Sequence, residues 1–154
     1  VAAMLRHGLS FDALVLPRHL PALLAFAERH PDLPIVIDHG AKPLIAQGVM
    51  APWREDIARL AALPQVCCKL SGLVTEAGPD WDVERLRPYV DHLVASFGAQ
   101  RLIWGSDWPV LNLASDYAGW IAASKALLAG LNEADQAAVF GLNARRFYRL
   151  DETA

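Results

Sequence analysis

Short apolar runs alternate along the chain with segments whose apolar residues recur at helical spacing. The run LPIVIDHG, from Leu33 to Gly40, contains isoleucine and valine without polar alternation, which is typical of a parallel strand covered on both faces. Residues 53–63 then place apolar side chains at every third or fourth position, which predicts a helix. The same order recurs, with strands predicted at 11–17, 33–40, 65–70 and 101–109 and helices at 21–29, 53–63, 83–97, 117–128 and 133–148.

Four predicted strands recur about every thirty residues along the chain, and each is followed by a helix. This pattern predicts parallel βα units in an α/β fold. Right-handed crossovers leave two architectures open, an open doubly wound sheet or part of a (β/α)₈ barrel. A complete barrel typically needs about 250 residues, so we expect residues 1–154 to form one partial barrel domain, the C-terminal half. The chain begins at Val1 inside what resembles the end of a helix, which also predicts a truncated N-terminus.

Composition excludes several classes of function. The formal net charge of −3 arises from interspersed acids and bases, so neither nucleic acid nor an anionic membrane is an expected partner. Cys67 and Cys68 are adjacent in a predicted strand and should face opposite ways, which disfavours a disulfide and favours a reducing cytoplasm. The N-terminal residues lack the features of a signal peptide. We therefore predict a cytoplasmic protein.

Polar side chains gather where the predicted strands end. Carboxyl ends of parallel strands share one edge, and ligands of α/β folds bind at that edge. In LIWGSDWPV, Gly105 allows a close turn before the carboxylate of Asp107. The polar residues at this edge are Asp38, His39, Lys42, Lys69, Ser71 and Asp107.

Four motifs in this order resemble the amidohydrolase-related family called amidohydrolase family 2, and within it the branch of sugar-acid and pyrone-dicarboxylate lactonases. They are DHGAKP at 38–43, the pattern ending in KLSGL at 73, LIWGSDWPV at 102–110 and GLNARRFYRL at 141–150. The resemblance implies a distorted (β/α)₈ barrel with an HxH pair after its first strand, a later histidine and an aspartate after its last strand. His39 matches the later histidine, and Asp107 matches the aspartate.

The chain contains no HxH motif, since its histidines are His7, His19, His30, His39 and His92. We therefore expect the first part of the barrel to be absent. The resemblance implies a divalent metal, Zn²⁺ first, with His39 and Asp107 as ligands, because imidazole and carboxylate suit a borderline ion. Family members differ in metal dependence, so a metal-independent reaction stays open.

The candidate catalytic residues are Asp107, as the general base on an attacking water, and His39. Lys42 and Lys69 are candidate anchors for a substrate carboxylate or a developing oxyanion, and Trp108 for a sugar pocket. Each has a structural alternative: a cap or turn for Asp107, a hydrogen-bonded strand end for His39, salt bridges for the lysines and loop packing for Trp108. A solvated loop is the favoured interpretation for Thr75 and Glu76.

These observations predict a lactonase-like hydrolase acting on a small lactone or carboxylate substrate, with a homo-oligomer as an open possibility. A non-oxidative decarboxylase of the same superfamily is the first alternative. A non-catalytic remnant that binds a ligand or partner through an exposed barrel edge is the second.

Overall fold

The computed structural model of the protein describes residues 1–150, and its strands form one parallel sheet. The strands β1 (Phe11–Ala13), β2 (Ile35–Ile37), β3 (Val66–Leu70) and β4 (Leu102–Trp104) follow one another across the sheet in chain order. Ile35 pairs with both Phe11 and Val66, and Leu70 pairs with Trp104. A parallel sheet in sequential order requires a crossover between each pair of strands, which is the arrangement of consecutive βα units in a barrel.

Helices fill the crossovers and follow the last strand. The 15-residue helix between β3 and β4 begins after Asp82, whose side chain accepts a hydrogen bond from the backbone N–H of Arg85. Asn132 caps a later helix in the same way, as its sequence predicted. The helices are α1 (Ala2–Arg6), α2 (Leu20–Arg29), α3 (Trp53–Ala61), α4 (Leu73–Ala77), α5 (Val83–Phe97), α6 (Tyr117–Leu127), α7 (Glu133–Ala137) and α8 (Asn143–Tyr148).

The two faces of the sheet differ in polarity. On β3, Val66, Cys68 and Leu70 are buried in the apolar core, and Cys67 and Lys69 alternate with them on the opposite face. Both cysteines are free, and burial raises the pKa of each thiol, so neither is an activated nucleophile. The prediction that their side chains face opposite ways is confirmed.

The elements are shorter than the sequence predicted in two places. The predicted helix 133–148 is divided into α7, a wider π-helical turn over Ala138–Leu142, and α8. At the start of α8 the Asn143 amide donates hydrogen bonds to the backbone oxygens of Ala99 and Leu102. The strands are also shorter than predicted, and β1 and β2 have three residues each. Among residues 1–150, no helix has the length and apolarity needed to cross a membrane.

Candidate active site

A cavity of about 260 Å³ lies at the carboxyl ends of the strands. His39, Lys42 and Asp107 bring three ionisable side chains to its wall, although they come from segments up to 68 residues apart along the chain. The rest of the wall is apolar. Its lining residues are Leu14, Val15, Leu16, His39, Lys42, Asp107 and Val110. The sequence-predicted convergence of polar residues at this edge is therefore present for these three residues.

The turn after β2 presents His39 through an unusual backbone. Residues 39–42 all have positive φ, between 52° and 61°, although three of the four carry side chains. Left-handed conformations are costly for residues with a Cβ atom and often mark functional sites. The buried indole N–H of Trp53 donates a 2.7 Å hydrogen bond to the Gly40 oxygen, which fixes the turn from the side of α3.

The His39 ring rests on the backbone that follows β3. Its Nδ1 lies 2.8 Å from the Oγ of Ser71, which is 2% exposed. A Cβ atom on Gly72 would lie 2.8–2.9 Å from three atoms of His39, so only glycine leaves room for the ring. Gly72 also has a φ of +65°, which glycine adopts without the Cβ penalty. Close contact and backbone conformation therefore both require glycine here.

Asp107 faces His39 across the cavity wall. Its Oδ1 lies 3.5 Å from His39 Nε2, and its side chain is 11% exposed. Its φ of +59° is one that aspartate and asparagine tolerate better than most residues. The backbone oxygen of Asp107 accepts a 2.8 Å hydrogen bond from the Leu111 N–H, and the Trp120 indole donates to the Gly105 oxygen at 2.9 Å. These bonds hold the turn between β4 and α6.

Lys42 forms an ion pair with Glu76 at the cavity. The sequence favoured a solvated loop for Thr75 and Glu76, but both lie in the short helix α4. The reason is local, since the left-handed Gly72 precedes the helix and the Thr75 hydroxyl donates a 2.7 Å hydrogen bond to the Gly72 oxygen. The partner of Lys42 comes from the next βα unit, and no spacing in the sequence points to that pair.

Lys69 lies in a separate cluster on the polar face of the sheet. Its Nζ is 2.8 Å from Asp12 Oδ2 and 2.7 Å from the buried Asp38 Oδ1. The Tyr148 hydroxyl donates a 2.7 Å hydrogen bond to the same Asp12 oxygen. The cluster therefore connects β1, the end of β2, β3 and α8.

The cluster shifts the ionisation of its members. Partial burial lowers the pKa of Lys69, but its hydrogen bonds to Asp12 and Asp38 outweigh that effect and raise the pKa above its ordinary value. Burial and the hydrogen bond to Asp12 raise the pKa of Tyr148 to about 12. Lys69 is thus a paired cation outside the cavity wall, and its predicted contact with substrate stays a prediction.

Trp108 also lies outside the cavity lining. Its side chain is 69% exposed, although the preceding residue is Asp107. Its predicted contact with substrate stays a prediction. Trp53, by contrast, is 2% exposed and packs against the Tyr89 ring at a centroid distance of 5.5 Å, as expected of a core residue.

The metal-ligand set predicted from the sequence is incomplete within the described part of the chain. Residues 1–150 contain no group of three or more histidine, cysteine, aspartate or glutamate side chains arranged to hold a metal ion. Catalytic zinc typically has three protein ligands, and His39 and Asp107 are two. This donor set therefore does not fit a complete zinc centre by itself.

The model of the amidohydrolase family matches residues 1–150. The chain belongs to the amidohydrolase family. It is 56% identical to the L-fucono-1,5-lactonase of Burkholderia ambifaria over 98% of this chain and 53% of that protein. It is 40% identical to the L-fucono-1,5-lactonase of Burkholderia multivorans over 94% of this chain and 52% of that protein. The chain thus spans about half the length of these curated relatives.

A solved amidohydrolase confirms the fold. A crystal structure of an amidohydrolase from Burkholderia multivorans with bound zinc superposes with a TM-score of 0.90 and 39% identity. The match covers 96% of this chain and 55% of the other. The four βα units are therefore those of an amidohydrolase barrel, and the alternative of an open doubly wound sheet is wrong.

We predict that Gly72→Ala destabilises the protein more than Gly48→Ala. The two glycines have nearly equal φ values, +65° and +66°, but a Cβ atom at position 48 meets nothing within 4 Å. Gly48→Ala should cost about 1–2 kcal/mol through left-handed strain alone, and Gly72→Ala should cost more because His39 must move. Urea unfolding of both variants measures the difference, and equal losses would contradict the close-contact argument.

We predict that Lys69→Met lowers the free energy of unfolding at neutral pH. It leaves the Asp12 and Asp38 carboxylates without their cation, at a cost of about 1–3 kcal/mol, toward the lower end because Asp12 is 38% exposed. In the wild type, the raised pKa of Lys69 means that its contribution persists below the unfolded pKa and is lost only as pH rises through the folded pKa.

Tyr148→Phe is the matched control for the lysine substitution, because it removes one hydrogen bond and leaves Lys69 between both carboxylates. It should cost about 0.5–1.5 kcal/mol. Urea unfolding at neutral pH compares the two variants. A Lys69→Met loss no larger than that of Tyr148→Phe would contradict the ion-pair account.

Proposed function

We propose that this chain carries the proton-transfer site of a sugar-lactone hydrolase. The observation that carries the proposal is the approach of Asp107 to His39 in a cavity at the carboxyl ends of the strands. Ligands of barrel enzymes bind at this face. Identities of 56% and 40% to two L-fucono-1,5-lactonases support the reaction class.

The reaction uses Asp107 as a general base and then as a general acid. Its carboxylate accepts a proton from water as the water oxygen bonds to the lactone carbonyl carbon. The tetrahedral intermediate collapses with cleavage of the bond to the ring oxygen, and Asp107 returns the proton to that oxygen. The product is an open-chain hydroxy acid, and the carboxylate is regenerated.

His39 and Lys42 stabilise the charge that develops on the carbonyl oxygen. Both line the cavity that contains Asp107, and donors fixed before the reaction stabilise an oxyanion at little reorganisation cost. The turn of residues 39–42 and the Ser71 contact fix His39, and the Glu76 ion pair fixes Lys42.

The charge balance of the cavity favours a neutral, hydroxyl-bearing lactone over a dicarboxylate. Lys42, the cation of the cavity lining, is already paired with Glu76, and Asp107 adds a further carboxylate. The Asp107 carboxylate would repel a dianionic substrate, and the described residues of this part of the wall include no unpaired cation to offset that repulsion. The predicted roles of Lys69 and Trp108 would apply to substrate groups that extend beyond the lining.

We predict that Asp107→Asn reduces hydrolysis and preserves the fold. Asparagine keeps the shape and tolerates the positive φ, but it cannot accept the proton. The value of kcat/KM for L-fucono-1,5-lactone, measured on the protein that carries this chain with a pH indicator, should fall about 10²- to 10⁴-fold. A thermal melt of the variant should match the wild type.

Two outcomes contradict this role. Full activity in Asp107→Asn removes Asp107 from the chemistry. A lowered melt together with lost activity supports the alternative in which Asp107 only stabilises the turn after β4. Glu84→Gln, on the exposed face of α5, is the matched carboxylate control and should change neither measurement.

We predict that this chain binds Zn²⁺ weakly. Catalytic zinc typically has three protein ligands, and the described residues bring only two candidate ligands, His39 and Asp107, close together. Calorimetry should give weak binding that His39→Asn abolishes and His7→Asn leaves unchanged. Tight one-to-one binding that persists in His39→Asn would exclude His39 as a ligand and contradict this assignment.

A further inference from the structure

The hydroxyl group of Ser71 is buried and lies against one ring nitrogen of His39. Ser71 is 2% exposed, and its Oγ is 2.8 Å from His39 Nδ1. Among residues 1–150, the single hydrogen-bond partner of the Ser71 hydroxyl is His39 Nδ1. A hydroxyl has one proton to donate, and a neutral imidazole has one donor and one acceptor nitrogen. The position of the imidazole proton therefore decides whether the buried hydroxyl is satisfied.

Only one of the two neutral tautomers satisfies both ends of the ring. If the proton is on Nδ1, it donates to Ser71, and the hydroxyl proton has no acceptor among the described residues. The bare Nε2 then faces the Asp107 carboxylate at 3.5 Å, so two lone pairs oppose each other. If the proton is on Nε2, Ser71 donates to Nδ1 and the ring N–H faces Asp107. Buried polar groups are almost always paired, which selects the second arrangement.

We propose that Ser71 is a positioning residue that keeps the proton of His39 on Nε2, so that the ring presents an N–H donor to the cavity. At 3.5 Å the N–H is too far from Asp107 for a good hydrogen bond, so it stays available to a substrate oxygen. Asp107 in turn keeps its lone pairs for the proton of water. The roles of this N–H group and of Asp107 toward substrate rest on the proposed lactone hydrolysis. The position of the proton on the ring does not.

The proposal also gives a second reason why metal binding at His39, the role that the sequence resemblance implies, should be weak. A nitrogen that binds a metal must give up its proton. The hydrogen bond from Ser71 occupies Nδ1, and the proton it maintains on Nε2 occupies the other nitrogen. A metal ion would therefore have to displace the Nε2 proton, and without one His39 acts toward the cavity as a hydrogen-bond donor.

Long-range ¹H–¹⁵N correlation NMR on the histidine-labelled 154-residue chain tests the proposal, at a pH where the spectra show His39 to be neutral. His39→Asn assigns the ring, since asparagine tolerates its positive φ. In the wild type, Nε2 should resonate as a protonated nitrogen and Nδ1 as an unprotonated acceptor of a hydrogen bond. In Ser71→Ala, the Nδ1 resonance should move to that of an acceptor without a partner, and Ser71→Thr should restore it.

Ser124→Ala is the matched control, because Ser124 is equally buried but bonds to Trp104 and Trp120. It should leave the His39 resonances unchanged. A proton on Nδ1 of the wild type overturns the proposal, even if Ser71→Ala does not fold. Unchanged His39 resonances in a folded Ser71→Ala also overturn it. Neither readout depends on hydrolysis, so failure here is distinct from failure of the proposed function.

Discussion

The fit of the His39 ring against Gly72 is the constraint on which the site depends. The ring touches the chain where a Cβ atom would stand, because the turn of residues 39–42 is left-handed throughout. The Trp53 indole holds that turn from α3, and Ser71, directly after β3, contacts the ring. Backbone strain in one βα unit is thus maintained by packing and hydrogen bonds from its neighbours. The result is an imidazole whose position is fixed before any ligand arrives.

Charge is distributed between two groups that serve different purposes. Lys42 and Glu76 form an ion pair at the cavity with Asp107 nearby, and the proposed function places a substrate carbonyl group beside Lys42 and Asp107. Lys69 instead neutralises Asp12 and Asp38 on the polar face of the sheet and joins three βα units. A half-buried cation between two carboxylates is a poor candidate for a free substrate anchor, because a new anion would compete with both partners.

Sequence pattern predicted the parts of this structure that depend on local order. Period and composition located the strands and helices, and the rule that ligands meet the carboxyl ends of parallel strands brought His39 and Asp107 together. Glu76 was missed because a five-residue helix that begins after a left-handed glycine has no strong sequence signal. The roles of Ser71 and Gly72 were missed because they depend on how closely a ring from another unit approaches, which no spacing encodes.

The proposed function requires that the cavity lined by His39, Lys42 and Asp107 bind the sugar-acid product and its lactone. Two-dimensional NMR of the ¹⁵N-labelled chain, titrated with the stable sugar acid L-fuconate, measures this most directly. The account predicts saturable shifts confined to residues around the cavity, with the His39 ring among them, and much smaller shifts in His39→Asn. Saturable shifts centred on residues outside the cavity, or unaffected by His39→Asn, would contradict it.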